Sequence, residues 1–398
     1  WLFESGFQLS FAAALLIAGL AVPILERTTE PYRRALHHLE NVNHDADLHP
    51  RLAQFRLELR GLVSLLIRRL QFLDRRPALA ALLVTIPLEI ALWTVNVLVF
   101  SAILQIGLLL PMAETFHRVT LAGILLNALA APLMTLLLGL AAPTVLLGAI
   151  APWLAAVPAK ALSLVTGAFV AIAEFHRFPP WVTYRVPGPP LWVSVGFGLL
   201  MVFTGWALGR HRRMFWVSLT GAGIFAALIS FHPFSPRLPR GELEVTALDC
   251  GGGDAVFVVL PDRMTLLVDA CGSRLASANE GAFSGGRWDP GESIVSPFLW
   301  SRGVTKIDRV VLSHAHQDHL GGMAAIFRNF RVGEFWHAAN PATPAYLGLL
   351  QEADRLGVRD KQLVAGQSMD LGGASMDILW PPGDRSVGER PSNDDSLV

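Results

Sequence analysis

Seven apolar stretches follow one another through the first 231 residues of this 398-residue chain. A helix needs roughly 20 mostly apolar residues to cross a bilayer, because the hydrocarbon core is about 30 Å thick and a helix rises about 1.5 Å per residue. One short stretch alone is equally typical of a buried core helix, but so many in series predict an all-α polytopic membrane bundle. The stretches are residues 7–25, 78–112, 121–140, 143–157, 161–175, 191–208 and 214–231.

The composition changes after the last apolar stretch. Charged residues are sparse among the later apolar stretches, whereas beyond residue 241 Asp, Arg and Gly mix with alternating apolar residues, as in a water-soluble fold. The Pro-rich segment "HPFSPRLPRG" between the two parts cannot continue a helix. The formal net charge of zero gives no evidence for a nucleic-acid partner. We predict a membrane domain over 1–231 with a polar and amphipathic insert at about 26–77, a linker at 232–241 and a second domain over 242–398.

Polar residues inside the apolar stretches include Gln8, Glu89, Asn96 and Asn127. A polar group in the hydrocarbon core costs free energy, about 2.5 to 3.5 kcal/mol for a charge at its centre, unless it pairs or faces water. We therefore predict a polar path through the bundle at Gln8, Asn96 and Asn127. The alternative is that Gln8 and Glu89 lie at the head-group boundary.

Prolines recur in the same region, at positions 111, 132, 143 and 152. They are predicted to interrupt the helices, which a membrane tolerates only where protein or water satisfies the freed carbonyl groups. This pattern favours a channel-like or transporter-like interior over simple anchoring helices.

Basic loops predict the orientation of the chain. "GRHRR" at 209–213 separates the last two apolar stretches, and "RRLQFLDRR" at 68–76 precedes the second. Because cytoplasmic loops carry an excess of Lys and Arg, both are predicted inside and everything after His232 outside. The stretch at 51–72 has apolar residues at helical spacing with Arg on the other face, which predicts a helix lying against membrane lipid.

Beyond the linker the apolar pattern becomes strand-like. Four short runs predict strands: "ELEVTALD", "AVFVVL", "TLLVDA" and "DRVVLS". "GGGD" and "PDRM" have the composition of turns, and "HLGGMAAIFRNF" predicts the start of a helix. This order indicates a mixed α and β layered domain.

The run "SHAHQDHLGG" follows the last predicted strand and contains His314, His316, Asp318 and His319. Alternate residues leaving a strand can surround one point, and the next pair can reach that point or a second one nearby. Imidazole and carboxylate ligands in one short loop suit Zn²⁺ or Mn²⁺, and the two glycines that follow permit close backbone approach. We predict a site for one or two divalent metals, the alternative being a His-rich surface loop.

The chain has two cysteines, Cys250 and Cys271, each shortly after an aspartate. We predict two small buried hydrophobic residues on neighbouring strands. A disulfide is the alternative if the domain faces an oxidising compartment. A thiolate metal ligand is less favoured because neither cysteine belongs to a CxxC pair.

Several segments together resemble the ComEC-type competence proteins. "GFQLSFAAALL" and "HRVTLAGILLNALAAPL" resemble stretches of their membrane domain. "HAHQDH" resembles the HxHxDH signature of the metallo-β-lactamase superfamily. "ALDCGGGDAVFVVLPDRMTLLVDACG" and "NDDSLV" resemble strands of the branch fused to competence proteins. The resemblance spans almost the whole chain and implies an all-α membrane bundle followed by an α/β four-layer (αββα) metallo-β-lactamase-like domain.

The chain departs from this family pattern in several places. His316 stands where the branch often carries Asp, and Cys250 and Cys271 stand where Val and Gly are usual. The OB-like module expected upstream does not occur in the sequence, nor do the later Gly-Asp and His motifs that complete the metal site. We therefore expect a fragment lacking both ends, whose second domain is truncated at its C-terminus and binds metal poorly.

The donor residues are assigned to the metals in pairs. We predict that His314 and His316 hold one metal and that Asp318 and His319 hold the other. Asp318 and His319 are also the predicted catalytic residues. These assignments imply hydrolysis assisted by one or two divalent metals.

Three further aspartates are predicted to support the site. The loop at 313–319, which carries the predicted metal ligands, is called the donor loop. Asp269, at the end of "LLVD", is predicted to accept a hydrogen bond from this loop and so to orient it. Asp249 and Asp254 are predicted to act similarly, with the alternative that each caps a backbone turn.

The resemblance implies a function in natural transformation. In the family the membrane domain passes single-stranded DNA inward, and the external metal site degrades the other strand of double-stranded DNA. This implies a multi-pass protein of the bacterial inner membrane, with other competence proteins as partners. The metallo-β-lactamase fold also serves hydrolysis of lactones, thioesters and amides. A third hypothesis is a transporter whose second domain binds DNA or metal without cutting.

Overall fold

The change of pattern at the linker corresponds to two separate folding units. The computed structural model describes residues 4–175, 182–272 and 289–398. Unit 1 is Trp1–Tyr184 with Pro189–Ser230, and unit 2 is Arg185–Gly188 with Phe231–Val398. Arg185 belongs with unit 2, where its guanidinium pairs with Glu292 at 2.7 Å and lies over the Trp300 ring.

Unit 1 is helical, as predicted. In the described residues, five segments are long and apolar enough to cross a membrane: Ser5–Thr28, Pro77–Gly107, Gly123–Ile150, Pro152–Ile172 and Arg212–Phe231. A π-helical turn, Ile17–Ala21, joins the two halves of the first segment, and a two-stranded sheet pairs β1 (Arg118–Thr120) with β2 (Thr183–Arg185). The helices are α1 (Ser5–Leu16), α2 (Val22–Thr28), α3 (Glu30–Ala35), α4 (Pro50–Arg69), α5 (Pro77–Gly107), α6 (Leu109–Thr115), α7 (Gly123–Ile150), α8 (Pro152–Phe175), α9 (Leu191–Ala207) and α10 (Arg212–Phe231).

Two of the four prolines do not interrupt a helix as predicted, whereas the other two lie where helices begin. Helix α7 continues through Pro132 and Pro143, so the break predicted between the stretches 121–140 and 143–157 does not occur, and the chain breaks at Ala151 instead. A proline removes one backbone hydrogen bond, and in an apolar helix every other backbone group stays paired within the helix. Pro111 and Pro152 lie in the first turns of α6 and α8, where an amide hydrogen is not needed.

Helix α4 forms over the predicted amphipathic stretch, but one of its arginines faces inward. The Arg56 side chain is fully buried and pairs with Asp45 at 2.6 Å. The prediction that the arginines lie on the polar face is wrong for Arg56, because the chain before α4 presents carbonyl groups that need a donor. Its guanidinium donates to four of these, at 2.7 to 3.2 Å: Ala35, His37, His38 and Asn41.

Unit 2 contains a mixed six-stranded sheet in the order β3-β4-β5-β6-β7-β8. The first three strands pair antiparallel, and β5 to β8 pair parallel. The four strands predicted from sequence form β3 to β6. The strands are β3 (Glu244–Ala247), β4 (Val256–Val259), β5 (Thr265–Val268), β6 (Lys306–Leu312), β7 (Arg331–His337), β8 (Arg359–Gln362), β9 (Ser368–Leu371) and β10 (Ala374–Asp377). The helices are α11 (Ser296–Ser301), α12 (Gln317–Leu320), α13 (Met323–Asn329) and α14 (Pro344–Arg355).

The central strands of the sheet, β5 to β7, carry buried side chains on both faces. On one face Phe257, Val310 and Phe335 pack in a core that includes residues of α11, α13 and α14. On the other face Val311 and Trp336 pack against the β9–β10 hairpin. The described residues thus form helix, sheet and hairpin layers, which confirms the predicted mixed α/β domain.

The linker at 232–241 contains no helix or strand, as predicted. It nevertheless packs on unit 2: Leu238 is buried in the core, and the Arg237 amide donates to the Arg302 carbonyl at 2.8 Å. Arg302 in turn holds Glu244 with two hydrogen bonds of 2.6 and 2.8 Å, and the Arg302 guanidinium, as donor, lowers the pKa of Glu244.

Replacing Arg56 by Met should release the segment at 36–49. The substitution removes a buried charge that holds four carbonyls and Asp45, which costs about 3 kcal/mol and corresponds to roughly 100-fold faster proteolysis of that segment. Limited proteolysis of the detergent-solubilised chain measures this, with Arg69→Met at the exposed end of α4 as the matched control. Equal cleavage of both variants would contradict the role of Arg56.

Candidate metal centre

Parallel pairing brings the ends of three strands to one edge of the sheet. Val268 at the end of β5 is paired with Val311, and Leu312 at the end of β6 is paired with His337 at the end of β7. Residues that follow these strands therefore meet at the same edge. They include Asp269 and the predicted donor loop at 313–319.

Asp269 connects the end of β5 to both ends of the donor loop. Its buried carboxylate accepts the Ser313 amide at 2.8 Å and the Ser313 hydroxyl at 2.6 Å. The same group accepts from Nδ1 of His319 at 2.8 Å. Asp269 has a φ of +59°, a left-handed conformation that aspartate tolerates better than most residues. Asp269 thus contacts the loop at Ser313 and at His319, and its role in orienting metal ligands stays a prediction.

His319 presents its second ring nitrogen to two carboxylates. Because Asp269 engages Nδ1, Nε2 faces Asp318 at 3.9 Å and Asp254 at 3.7 Å. Burial lowers the pKa of His319, but the hydrogen bond and charge of Asp269, with the charges of Asp318 and Asp254, raise it above its ordinary value. The surroundings of Nε2 therefore attract positive charge.

His314 and His316 contact each other. His314 Nε2 lies 2.7 Å from His316 Nδ1, so one ring donates to the other. His316 Nε2 lies 3.0 Å from the Pro391 carbonyl, and His314 Nδ1 lies 3.2 Å from the Ser396 hydroxyl. Burial, then the neighbouring His319 and His316, lower the pKa of His314. Low pKa favours the neutral imidazole, which is the form that binds a metal.

Asp249 and Asp254 lie in the same turn but differ in their contacts. Asp249 is exposed and accepts the Gly251 amide at 3.2 Å, which is the local turn contact given as its alternative. The Asp254 carboxylate instead faces His319. The Asp254 amide donates to the Asp318 carbonyl at 3.3 Å, and its carbonyl accepts the Cys271 amide at 2.8 Å.

Glycines allow the segments around the donor loop to pack closely. A Cβ atom at Gly272 would collide with the Gln317 carbonyl oxygen, and one at Gly322 would collide with the Ala270 carbonyl oxygen. The close approach expected behind the donor loop is therefore present at Gly322.

Cys250 and Cys271 form a disulfide with a Cα to Cα distance of 5.6 Å. Both are buried, as predicted, but the structure has the bonded alternative rather than two separate hydrophobic residues. The bond joins the turn that carries Asp254 to the segment that follows Asp269.

Asn340 was not predicted from the sequence. It lies shortly after β7, and its side chain holds the donor loop in place. Its side-chain oxygen accepts the Ala315 amide at 2.8 Å, and its nitrogen donates to the Ala338 carbonyl at 3.0 Å.

His337 lies at the same edge, with Nδ1 2.9 Å from the Tyr346 hydroxyl, and burial raises the pKa of Tyr346 to about 12. The only sequence signal was that the apolar run "FWH" ends in a histidine.

The donor chemistry of this edge fits a divalent metal. Two ligands about 2.1 Å from one ion can lie at most about 4.2 Å apart, and both carboxylate distances from His319 Nε2 are within that limit. Among the residues that the structure describes, no three His, Cys, Asp or Glu side chains already form a metal-binding group. To bind a metal through the same nitrogens, His314 and His316 would have to break the hydrogen bond between them. The predicted metal ligands therefore remain a prediction.

Two of the three residues predicted for the polar path line the same cavity in unit 1. Asn96 and Asn127 both line a cavity of about 650 Å³, together with aromatic residues that include Trp93, Phe100 and Phe169. Thr29 donates a hydrogen bond to the Asn96 side-chain oxygen. Gln8 is exposed on α1 and is not among the cavity residues.

Comparison with known proteins agrees with both units. The family model described as "Competence protein" matches residues 1–211, and that of the "Metallo-beta-lactamase superfamily" matches residues 248–397. Unit 2 is thus a metallo-β-lactamase-type domain, a class of domain that typically binds divalent metals. The chain as a whole belongs to the competence protein family and is a membrane protein.

Individual relatives support this assignment. The chain is 25% identical to "ComE operon protein 3" of Bacillus subtilis (strain 168) over 71% of its own length and 36% of that protein. It is 29% identical to "Competence protein ComA" of Neisseria gonorrhoeae over 53% of its length and 26% of that protein. The chain thus spans about a third or less of these relatives. A solved structure of CmlA, a diiron β-hydroxylase from Streptomyces venezuelae, covers 54% of this chain and 37% of its own at 20% identity, but its TM-score of 0.22 is too low to support an argument.

Breaking the disulfide should loosen the sheet edge. A bond that closes a loop over 21 residues contributes about 3 kcal/mol. We expect amide hydrogen exchange in β4 and β5 of the full chain to become roughly 100-fold faster after reduction or in the double variant Cys250→Ser, Cys271→Ser. Exchange in α7 serves as the internal control. Unchanged exchange in β4 and β5 would show that the bond contributes nothing to this unit.

Proposed function

We propose that this chain takes part in DNA uptake across the bacterial inner membrane during natural transformation. Unit 1 is the path for a single DNA strand, and unit 2 is an external metal-dependent phosphodiesterase that degrades the other strand. One observation carries the proposal: a chain with a competence membrane domain also places a cluster of His and Asp donors at the edge of a metallo-β-lactamase-type sheet.

The chemistry follows from the donor cluster. His319 and Asp318, with His314 and His316, would hold one or two divalent metals, Zn²⁺ or Mn²⁺. When bound, such a metal supplies Lewis acidity to a phosphate oxygen and activates water near neutral pH. Asp269 fixes the His319 ring so that Nε2 points away from Asp269 and towards Asp318.

The charge at this edge also requires a cation before DNA can approach. Asp254, Asp269 and Asp318 surround His319, and the charge of each raises its pKa. A phosphodiester is itself an anion, so it meets repulsion from these carboxylates until a cation neutralises them. His314 and His319 are buried, whereas Asp254 is exposed. A phosphodiester would therefore approach the site from the side of Asp254.

Two features support an external position for unit 2. The disulfide is of the kind that persists in oxidising compartments such as the periplasm or cell exterior. The basic segment at 209–213 follows α9 and includes the first two residues of α10, so a cytoplasmic position of this segment directs the end of α10 outward.

The cavity in unit 1 supports a path for single-stranded DNA. Bases stack on aromatic side chains with little sequence preference, and the cavity offers Trp93, Phe100 and Phe169. Asn96 and Asn127 add amide groups that can hydrogen-bond in an otherwise apolar interior.

Two other functions fit the same fold. A membrane-anchored hydrolase of another ester or amide uses the same kind of donor loop, and a transporter can carry a domain that binds metal or DNA without cutting. The membrane domain of the competence family favours DNA over the first. A measurement of DNA cleavage separates catalysis from the second.

The nuclease proposal predicts metal-dependent cleavage that requires His319. With Mn²⁺ or Zn²⁺ in excess, which saturates even a weak site, the detergent-solubilised chain should cut double-stranded DNA, and His319→Ala should lower the rate by at least about 100-fold through loss of a metal ligand. Asp370→Asn, which changes an exposed carboxylate of β9, is the control and should retain full activity. Absence of cleavage, or equal rates for His319→Ala and the unmodified chain, would refute the nuclease assignment.

The transport proposal predicts that uptake and cleavage can be separated. Asn127→Leu should reduce uptake of labelled DNA by transformable cells at least about tenfold, because it removes an amide from an apolar cavity. Cleavage by the purified protein should remain unchanged. Thr144→Val, a polar-to-apolar change on the same helix outside the cavity lining, should affect neither. Loss of both activities in Asn127→Leu would argue against separate roles for the units.

A further inference from the structure

We infer that Asp254 is itself a ligand of the metal site, beside His319, rather than a turn cap or an outer acceptor. The inference rests on the proposed metal-dependent function and deepens it. It assigns a direct contact to a residue of the "GGGD" turn, 64 positions before Asp318 in the sequence.

The backbone of Asp254 is fixed to the site from two sides. Its amide donates to the Asp318 carbonyl at 3.3 Å, and its carbonyl accepts the Cys271 amide at 2.8 Å. The Cys250–Cys271 disulfide closes the same turn. A Cβ atom at the preceding Gly253 would collide with the Asp318 carbonyl oxygen, so the turn lies directly against the donor loop. The position of Asp254 is therefore set by the fold.

The Asp254 side chain points at the nitrogen that a metal would use. Asp269 engages Nδ1 of His319 at 2.8 Å, which leaves Nε2 to face the Asp254 carboxylate at 3.7 Å. Both distances from Nε2, to Asp254 and to Asp318, are below the limit of about 4.2 Å for two ligands of one ion. One imidazole and two carboxylates form a donor set that suits Mn²⁺ or Zn²⁺.

Asp254 also differs from the other donors in its access to solvent. Its side chain is 73% exposed, whereas that of Asp318 is 5% exposed. A carboxylate on the open side can adjust its position around an ion while Asp318 and His319 stay packed. The same open side is where a phosphodiester of the backbone would reach the metal, so the Asp254 ligand would lie next to the substrate phosphate.

Asp249 provides a matched control within the same turn. It has the same charge and is also exposed, but its carboxylate accepts the Gly251 amide and no histidine contact accompanies it in the described residues. Asp249→Asn and Asp254→Asn therefore make the same change of charge five residues apart, with different predicted effects.

Metal binding by the full chain in detergent tests the inference. We would titrate Mn²⁺ and follow the free ion by electron paramagnetic resonance. Asp254→Asn should weaken Mn²⁺ binding by more than about 100-fold, because losing an outer partner that only orients a metal ligand typically costs about 10- to 100-fold in affinity. A loss confined to that range would identify Asp254 as an outer acceptor and overturn the assignment. Asp249→Asn should bind as the unmodified chain does, and Asp254→Glu should recover part of the affinity. Circular dichroism without metal should be identical for all variants.

The outcomes separate this inference from the proposed function. Equal Mn²⁺ affinity of the Asp254→Asn and Asp249→Asn variants, or no Mn²⁺ binding by the unmodified chain, would overturn the assignment of Asp254. An altered metal-free fold in Asp254→Asn alone would also overturn it, since it would reveal a structural role. Loss of Mn²⁺ binding in Asp254→Asn without DNA cleavage by the unmodified chain would sustain the ligand assignment and defeat the nuclease proposal.

Discussion

The carboxylate of Asp269 is the contact on which the candidate site depends. It joins the end of β5 to Ser313 at the start of the donor loop and to His319 at its end. The Asp269 amide donates to the Val311 carbonyl of β6 at 2.8 Å, so the residue is fixed by the sheet, and its buried carboxylate accepts three hydrogen bonds from the loop. The orientation of the His319 ring is thus a consequence of strand register, and every further donor is placed relative to that ring.

Much of the fold was predictable because apolar periodicity is local information. The strands β3 to β6 coincide with short β-branched runs, and the long helices coincide with apolar stretches. The continuation of α7 through Pro132 and Pro143 was not predictable from proline positions alone, because a proline in an apolar helix removes one bond without offering the chain another partner. The inward position of Arg56 depends on carbonyls of a different segment, which no helical pattern reveals.

The candidate site was predictable where its residues are adjacent in sequence and less so where they are not. The run at 313–319 carries its own signal, and Asp269 was found because it ends a strand. Asp249 and Asp254 looked equivalent, since only the folded turn shows which carboxylate faces His319. Likewise the pairing of Cys250 with Cys271, and the contact of Asn340 with Ala315, bring together segments about 20 residues or more apart.

The charged strand β8 affects whether another protein chain can add a strand to the sheet. Among the described residues β8 is the outermost strand on its side of the sheet. An outermost strand exposes unpaired amides and carbonyls on which another chain can add a strand. All four residues of β8 are exposed, and three of them, Arg359, Asp360 and Lys361, carry charge. Pairing with a second chain would bring those charges against a foreign strand and strip their water. The charges on β8 thereby protect the sheet from edge-to-edge aggregation.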